Sequence, residues 1–190
     1  MSNSQVGTYK FEAFPFHLDV RGKLSMGVLG KHLLNCADAY AAERGFDVVE
    51  QGGEHYTWVL SRLAIELEDL PSCHESFSIQ TWVENVYRLF ADRNFVICNK
   101  DEKPIGYVRS VWAMISMETR NPANLLDLHG DRITNSVCEK ECPIAKPGRI
   151  KVSQQEAVSE YVAKYSDLDI NGHVNSIKYI EHILDIFPLD

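Results

Sequence analysis

Two stretches of the chain, 150 positions apart, carry the same turn followed by the same kind of helix start. Residues 18–25 (LDVRGKLS) align without a gap on residues 168–175 (LDINGHVN), and Leu, Asp and Gly are identical in both. The shared glycine stands where a tight turn before a helix favours a positive φ, which glycine adopts without steric cost. Ser25 and Asn175 then occupy the N-cap position, which prefers such side chains. The sequence is therefore predicted to contain two copies of one supersecondary unit.

The two copies differ at the positions where chemistry could reside. The first has Arg21 and Lys23 on either side of its glycine, whereas the second has Asn171 and His173. A structural turn would accept either pair, but only the second copy places an amide and an imidazole beside a carboxylate, that of Asp169. An imidazole titrates near neutral pH and can accept or donate a proton. This asymmetry predicts that the second copy carries a reaction and that the first serves as a binding scaffold.

Hydrophobic periodicity predicts the elements around the first copy. Residues 25–44 repeat apolar side chains at helical spacing, which gives about five turns of helix before Gly45 ends it. Alternating runs predict five strands: residues 9–16, 57–70, 75–87, 91–99 and 105–117. Within the second of these runs, the alternation places four apolar side chains on one face: Val59, Leu63, Ile65 and Leu67. One strand, one long helix and an antiparallel meander make the order of a hotdog fold, an α+β architecture with a curled sheet around a central helix.

The remaining third of the chain is less regular. Residues 119–155 contain several prolines and charges with little periodicity, which predicts a linker that runs across the surface. Residues 157–165 alternate as a strand, and residues 174–187 carry the apolar stripe of a helix. We therefore expect one complete N-terminal hotdog domain over 1–118 and a linker over 119–155. The start of a second, catalytic-type hotdog domain is expected over 156–190, truncated after its helix.

Composition excludes several classes of function. The formal net charge of −8 disfavours nucleic acid as a partner, because phosphate binding needs clustered Lys and Arg. No apolar run approaches the 18 residues typical of a membrane span, and the polar N-terminus lacks a signal-peptide pattern. The five scattered cysteines predict free thiols in a reducing cytoplasm rather than a disulfide framework.

The second copy resembles a known family. Residues 169–175 (DINGHVN), continuing through Lys178, Tyr179 and Ile180, resemble the signature of the acyl-ACP thioesterases of plants and bacteria, which are tandem hotdog proteins. Weaker similarity covers residues 14–25 and 117–120. The resemblance implies hydrolysis of fatty acyl-ACP thioesters to free fatty acid and acyl carrier protein (ACP) in fatty acid biosynthesis. It also implies a catalytic set of Asp169, Asn171 and His173, with ACP as the partner and no metal or organic cofactor.

The chemistry of thioester hydrolysis suits these residue types. Asp169 or His173 could activate a water molecule, and the amide of Asn171 could position the water or the carbonyl. Backbone N–H groups at the start of the following helix, those of Val174 and Asn175, are candidate oxyanion donors because the first turn of a helix leaves its N–H groups unsatisfied. The acyl chain is expected in an apolar slot of the N-terminal unit.

Several other interpretations stay open at this point. Asp167, Asp169 and Asn171, followed by Gly172, match the start of a calcium-binding loop over 167–178, although its twelfth position holds Lys178 instead of an acidic residue. Asp, Asn and Gly are also ordinary turn formers, so the motif could be a plain surface turn. A non-catalytic module that binds acyl thioesters is the main alternative to an enzyme. A homodimer is a further option, because a half-built sheet would expose an edge.

Overall fold

One curled antiparallel sheet encloses a long helix, as the periodicity predicts. The computed structural model describes residues 5–150, 159–170 and 172–188. Its strands are β1 (Gly7–Glu12), β2 (Val49–Gln51), β3 (Glu54–Leu67), β4 (Ser76–Val86), β5 (Ala91–Cys98) and β6 (Pro104–Ser116). They pair in the order β1-β4-β5-β6-β3-β2, and the helix α1 (Met26–Glu43) packs on the inner face. The first strand ends earlier than predicted, because Pro15 starts a 3-10 turn over Pro15–His17.

The central helix follows its predicted caps. The Ser25 hydroxyl accepts a hydrogen bond from the Val28 N–H at 3.3 Å, and the chain leaves the helix through Gly45 at φ +69°. Along its inner side α1 buries Leu29 and Leu33 against strand residues such as Phe95. The prediction of a helix over 25–44 is confirmed.

A bulge in β3 changes which side chains face the core. The pairing of β3 with β6 shifts between Leu60 and Arg62, so one extra residue is inserted. Before the bulge Trp58 packs inward, and after it Leu63 and Ile65 do so. The predicted single face running from Val59 through Leu67 is therefore wrong at Val59, because a bulge reverses the alternation on one side of it.

The stretch predicted as a surface linker contributes to the core instead. It contains two short helices, α2 (Leu125–His129) and α3 (Asp131–Thr134), whose Leu125 and Ile133 are fully buried. Farther along, Cys142 and Ile144 cover the Trp82 side chain on the outer face of the sheet. The outer face of β4 and β5 carries apolar side chains that water would otherwise contact. Burying them gives this aperiodic segment a fixed path.

The second copy is present as a turn and a helix. Residues 159–164, predicted as part of a strand, are exposed and lie outside any strand, and residues 157–158 fall outside the described residues. The helix α4 spans Ser176–Leu184, shorter at both ends than the predicted 174–187. Only Ile177 of its apolar stripe is fully buried, where it meets α1. In the described part of the chain, no helix has the length and apolar character needed to cross a membrane.

Candidate active site

The repeated turn makes two equivalent backbone hydrogen bonds in its two copies. In the second copy the Asp169 N–H donates to the His173 carbonyl at 2.8 Å, and the Gly172 N–H donates to the Asp169 carbonyl at 3.0 Å. The first copy makes both bonds, at 2.7 and 3.0 Å, with the residues 150 positions earlier: Asp19, Gly22 and Lys23. The two glycines have φ values of +72° and +73°. The predicted duplication is thus confirmed at the level of backbone geometry.

The carboxylate of Asp169 has a structural task within this turn. Its Oδ1 accepts the His173 N–H at 3.0 Å, just as the Asp19 Oδ1 accepts the Lys23 N–H at 3.2 Å. In the first copy Arg21 also pairs with the carboxylate at 2.7 Å. The corresponding residue of the second copy, Asn171, lies outside the described residues, so its predicted role stays a prediction.

His173 meets a residue that the sequence analysis did not include among the site residues. The Arg120 Nη1 lies 3.2 Å from the His173 Nε2. A guanidinium can only donate, so in this hydrogen bond the His173 Nε2 is the acceptor. Arg120 follows β6 at φ +61°, an uncommon backbone conformation for a residue other than glycine. The available signal in the sequence was the weak family resemblance of residues 117–120, which did not indicate a partner for His173.

The head of α4 faces the same place. The Asn175 side chain caps the helix by accepting the Ile177 N–H at 2.9 Å, while its own N–H donates to the Asp167 carbonyl at 2.8 Å. That second bond engages the Asn175 N–H, which the sequence had suggested as an oxyanion donor. Val174 and Ser176, on either side of Asn175, line a cavity that extends into the first unit. The first-copy equivalent of Val174, Leu24, donates its N–H to the Pro71 carbonyl at 2.8 Å.

A cavity of about 340 Å³ joins this turn to the interior of the first unit. Part of its lining comes from the turn and the head of α4: Asp169, His173, Val174, Asn175 and Ser176. Between α1 and the sheet its walls are mainly apolar, and they include Leu34, Ala37, Ala41, Val83, Ala91 and Trp112. The site residues that the sequence predicted, apart from Asn171, therefore line the same mainly apolar chamber.

Asp167 is engaged in a cluster that stabilises the turn. Its carboxylate accepts hydrogen bonds from the Tyr161 hydroxyl at 2.8 Å and the Lys164 N–H at 2.7 Å, and the His182 Nε2 lies 3.3 Å away. The Lys164 N–H, followed by the Tyr161 hydroxyl, holds the pKa of Asp167 below its usual value. Because these groups occupy the carboxylate that would be the first calcium ligand, the geometry does not support the calcium-binding alternative. No group of acidic, His and Cys side chains among the described residues has a metal-binding arrangement.

The comparisons with known proteins point to one family. The sequence model of the acyl-ACP thioesterase N-terminal domain matches residues 5–130, and that of the acyl-ACP thioesterase C-terminal domain matches residues 150–190. The crystal structure of an acyl-ACP thioesterase from Bacteroides thetaiotaomicron is 61% identical, with a TM-score of 0.88. That alignment covers 97% of this chain and 74% of the other.

Two more distant relatives match over most of the chain. The 12:0-ACP thioesterase from Umbellularia californica superimposes with a TM-score of 0.78 at 16% identity, covering 98% of this chain and 76% of that one. A chloroplastic palmitoyl-acyl carrier protein thioesterase from Gossypium hirsutum is 26% identical over 162 residues, which are 82% of this chain. The match spans 39% of that plant protein, so the chain corresponds to about two fifths of its length.

Proposed function

Because the chain belongs to the acyl-ACP thioesterase family, we propose that it hydrolyses fatty acyl-ACP thioesters to free fatty acid and ACP. The observation that carries this proposal is the continuity of one cavity. Its walls are mainly apolar between α1 and the sheet, and Asp169, His173 and the head of α4 line the same cavity. An acyl chain buried in the apolar part would bring its thioester to these polar groups.

In the proposed reaction a water oxygen attacks the thioester carbonyl, and the water proton passes to Asp169 or His173. The carbonyl oxygen becomes negative in the tetrahedral intermediate, and N–H groups at the head of α4, those of Val174 and Ser176, are its proposed donors. The carbon–sulfur bond then breaks, and the pantetheine thiolate takes up a proton. Arg120 would orient the His173 ring through its 3.2 Å contact. No step of this proposed reaction needs a metal or an organic cofactor.

The proposed partner is ACP carrying a fatty acyl-phosphopantetheine, in the context of fatty acid biosynthesis. We also propose that the protein works in the cytoplasm. Its five cysteines (Cys36, Cys73, Cys98, Cys138 and Cys142) form no disulfide, which suits a reducing compartment. We propose a homodimer as the alternative to a monomer. Apolar side chains on α4 that are more than half exposed, such as Tyr179 and Ile183, support it. Light scattering over a range of protein concentrations tests it.

The duplicated turn supplies matched controls for the catalytic assignment. Asp169→Asn and His173→Ala should each reduce acyl-ACP hydrolysis by at least about 10²-fold, the range expected for loss of a proton-transfer group. Asp19→Asn and Lys23→Ala make the corresponding changes in the first copy and should leave most turnover intact. The assay is release of free thiol from acyl-ACPs of several chain lengths. Near-normal turnover by both second-copy variants would refute the assignment.

A second candidate function is acyl-thioester binding without hydrolysis. This alternative is favoured by the residues that line the chamber. Most of them belong to α1 and the sheet, and fewer belong to the catalytic-type turn. Tight binding of an acyl-pantetheine by the full chain, with no thiol release above the uncatalysed rate, would establish this alternative. Hydrolysis that depends on His173 would exclude it.

A further inference from the structure

One buried cation in the wall of the chamber has no role in the proposed reaction. Arg93 lies on β5 and is only 6% exposed, and it lines the same cavity as Ala91 and Val83. Its neighbours at alternate positions, Ala91 and Phe95, belong to the inner core, so Arg93 points toward α1 and not toward the outer face. Asp38 and Asp169 also line the cavity, but both are more accessible to solvent than Arg93.

The Arg93 guanidinium lacks the partners that a buried cation normally has. Its Nη1 is buried without a hydrogen-bond acceptor, and none of the ion pairs formed by the described residues includes it. The contact that it does make is with the ring face of Tyr40, 4.7 Å from the guanidinium carbon. Burial lowers the pKa of Arg93 to about 10, so the side chain remains protonated at neutral pH. A buried donor without an acceptor is costly, and a small shift of the guanidinium toward a ligand oxygen in the cavity would remove that cost.

Arg93 lies well away from the catalytic-type turn. Arg93 pairs with Ser110 of β6, whereas His173 contacts Arg120, whose N–H donates to the carbonyl of Ser116 at the end of β6. Ser110 and Ser116 are six residues apart on β6, which corresponds to roughly 20 Å along the strand. An oxygen that reached Arg93 would therefore belong to the acyl chain and not to the thioester carbonyl.

We propose that Arg93 is a specificity residue that binds an oxygen acceptor, a hydroxyl or keto group, carried in the middle part of the acyl chain. The inference rests on the proposed acyl-thioester function and names its substrate class as oxygenated acyl chains. A hydrocarbon chain fills the apolar walls but leaves the guanidinium unsatisfied. A chain with an oxygen at the right depth satisfies it through a charge-assisted hydrogen bond.

Binding measurements with non-hydrolysable ligands test this directly. Acyl-pantetheine amides, in which nitrogen replaces the thioester sulfur, are titrated calorimetrically into the full chain. One chain length is used in four forms: unsubstituted, or hydroxylated near the amide, at mid-chain or at the far end. The mid-chain hydroxyl should improve affinity by about tenfold or more over the unsubstituted chain, the gain typical of a hydrogen bond to a charged group. The other two positions should give no such gain.

Two variants of Arg93 and one control separate specificity from general packing. Arg93→Met keeps most of the volume but removes the donors, so it should abolish the preference for the hydroxyl while binding the unsubstituted chain at least as well. Arg93→Lys keeps a charged donor and should retain part of the preference. Ala91→Val narrows the same wall and should weaken all four ligands alike.

The outcomes also distinguish this inference from the proposed function. If the wild-type protein binds the unsubstituted chain but gains nothing from a mid-chain hydroxyl, the role of Arg93 is refuted while the acyl-thioester function stands. If none of the four ligands binds, the proposed function fails and this inference fails with it. A preference that survives Arg93→Met would also overturn the assignment.

Discussion

The contact between α1 and α4 makes a sharp prediction about Gly30. In an exposed helix, replacing Gly by Ala stabilises by about 1 kcal/mol, because alanine has the better helix propensity. At Gly30 a new Cβ would lie 2.7 Å from both the Cδ1 and the Cγ2 of Ile177. Ile177 is only 1% exposed, so its side chain has little room to move away. Overpacking of this kind costs about 1–3 kcal/mol, so Gly30→Ala should destabilise by roughly 0–2 kcal/mol.

A double-mutant cycle isolates the steric part of this effect. Ile177→Ala alone should cost about 2–5 kcal/mol through loss of a buried side chain. In that background the clash is gone, so Gly30→Ala should recover its propensity gain of about 1 kcal/mol. The sign of the Gly30 effect therefore reverses, with a coupling energy of about 1–3 kcal/mol. Urea unfolding followed by circular dichroism measures each variant.

Gly27 provides a matched control one turn earlier on α1. A Cβ there would meet the carboxylate end of Glu181, a flexible side chain that can rotate away. Gly27→Ala should therefore be tolerated better than Gly30→Ala, although both add one methyl group to the same helix. If Gly30→Ala stabilises the wild-type protein by about 1 kcal/mol, as it would in a solvent-facing helix, the packing of α4 on α1 is refuted.

Three further predictions concern the turn and its surroundings. Gly172→Ala and Gly22→Ala each place a Cβ at positive φ, so each should cost about 1–2 kcal/mol in urea unfolding, but only Gly172→Ala should also slow acyl-ACP hydrolysis. Equal loss of turnover in both would contradict the assignment of chemistry to the second copy. The low pKa of Asp167 means that its ionised carboxylate stabilises the fold above about pH 4 and that this stabilisation is lost as pH falls. Asp167→Asn should therefore lower the free energy of unfolding at pH 7, and the difference between variant and wild type should disappear below about pH 4. A difference that stays constant across pH would contradict this role of the Asp167 carboxylate. Arg120→Met should slow hydrolysis by tenfold or more while leaving acyl-pantetheine binding unchanged, because Arg120 contacts His173 and does not line the chamber. Unchanged turnover would show that the contact does not orient the imidazole.

Local features of the sequence determined the elements and the duplicated turn. Capping by Ser25 and Asn175 and positive φ at the two turn glycines depend on a few neighbouring residues, so the pattern was sufficient to predict them. The alternation over 75–87 likewise predicted a strand, and β4 spans Ser76–Val86.

Long-range packing determined the rest. The bulge between Leu60 and Arg62 arises from pairing with β6, and the buried path of residues 125–144 comes from covering apolar side chains on the sheet. Neither the bulge nor this buried path produces a periodic pattern in the local sequence. Arg120 is 53 positions from His173, and Arg93 reaches the chamber only because the sheet curls around α1. The sequence alone could identify the turn that carries the proposed chemistry, but the chamber and its buried cation depend on side chains that only the tertiary fold brings together.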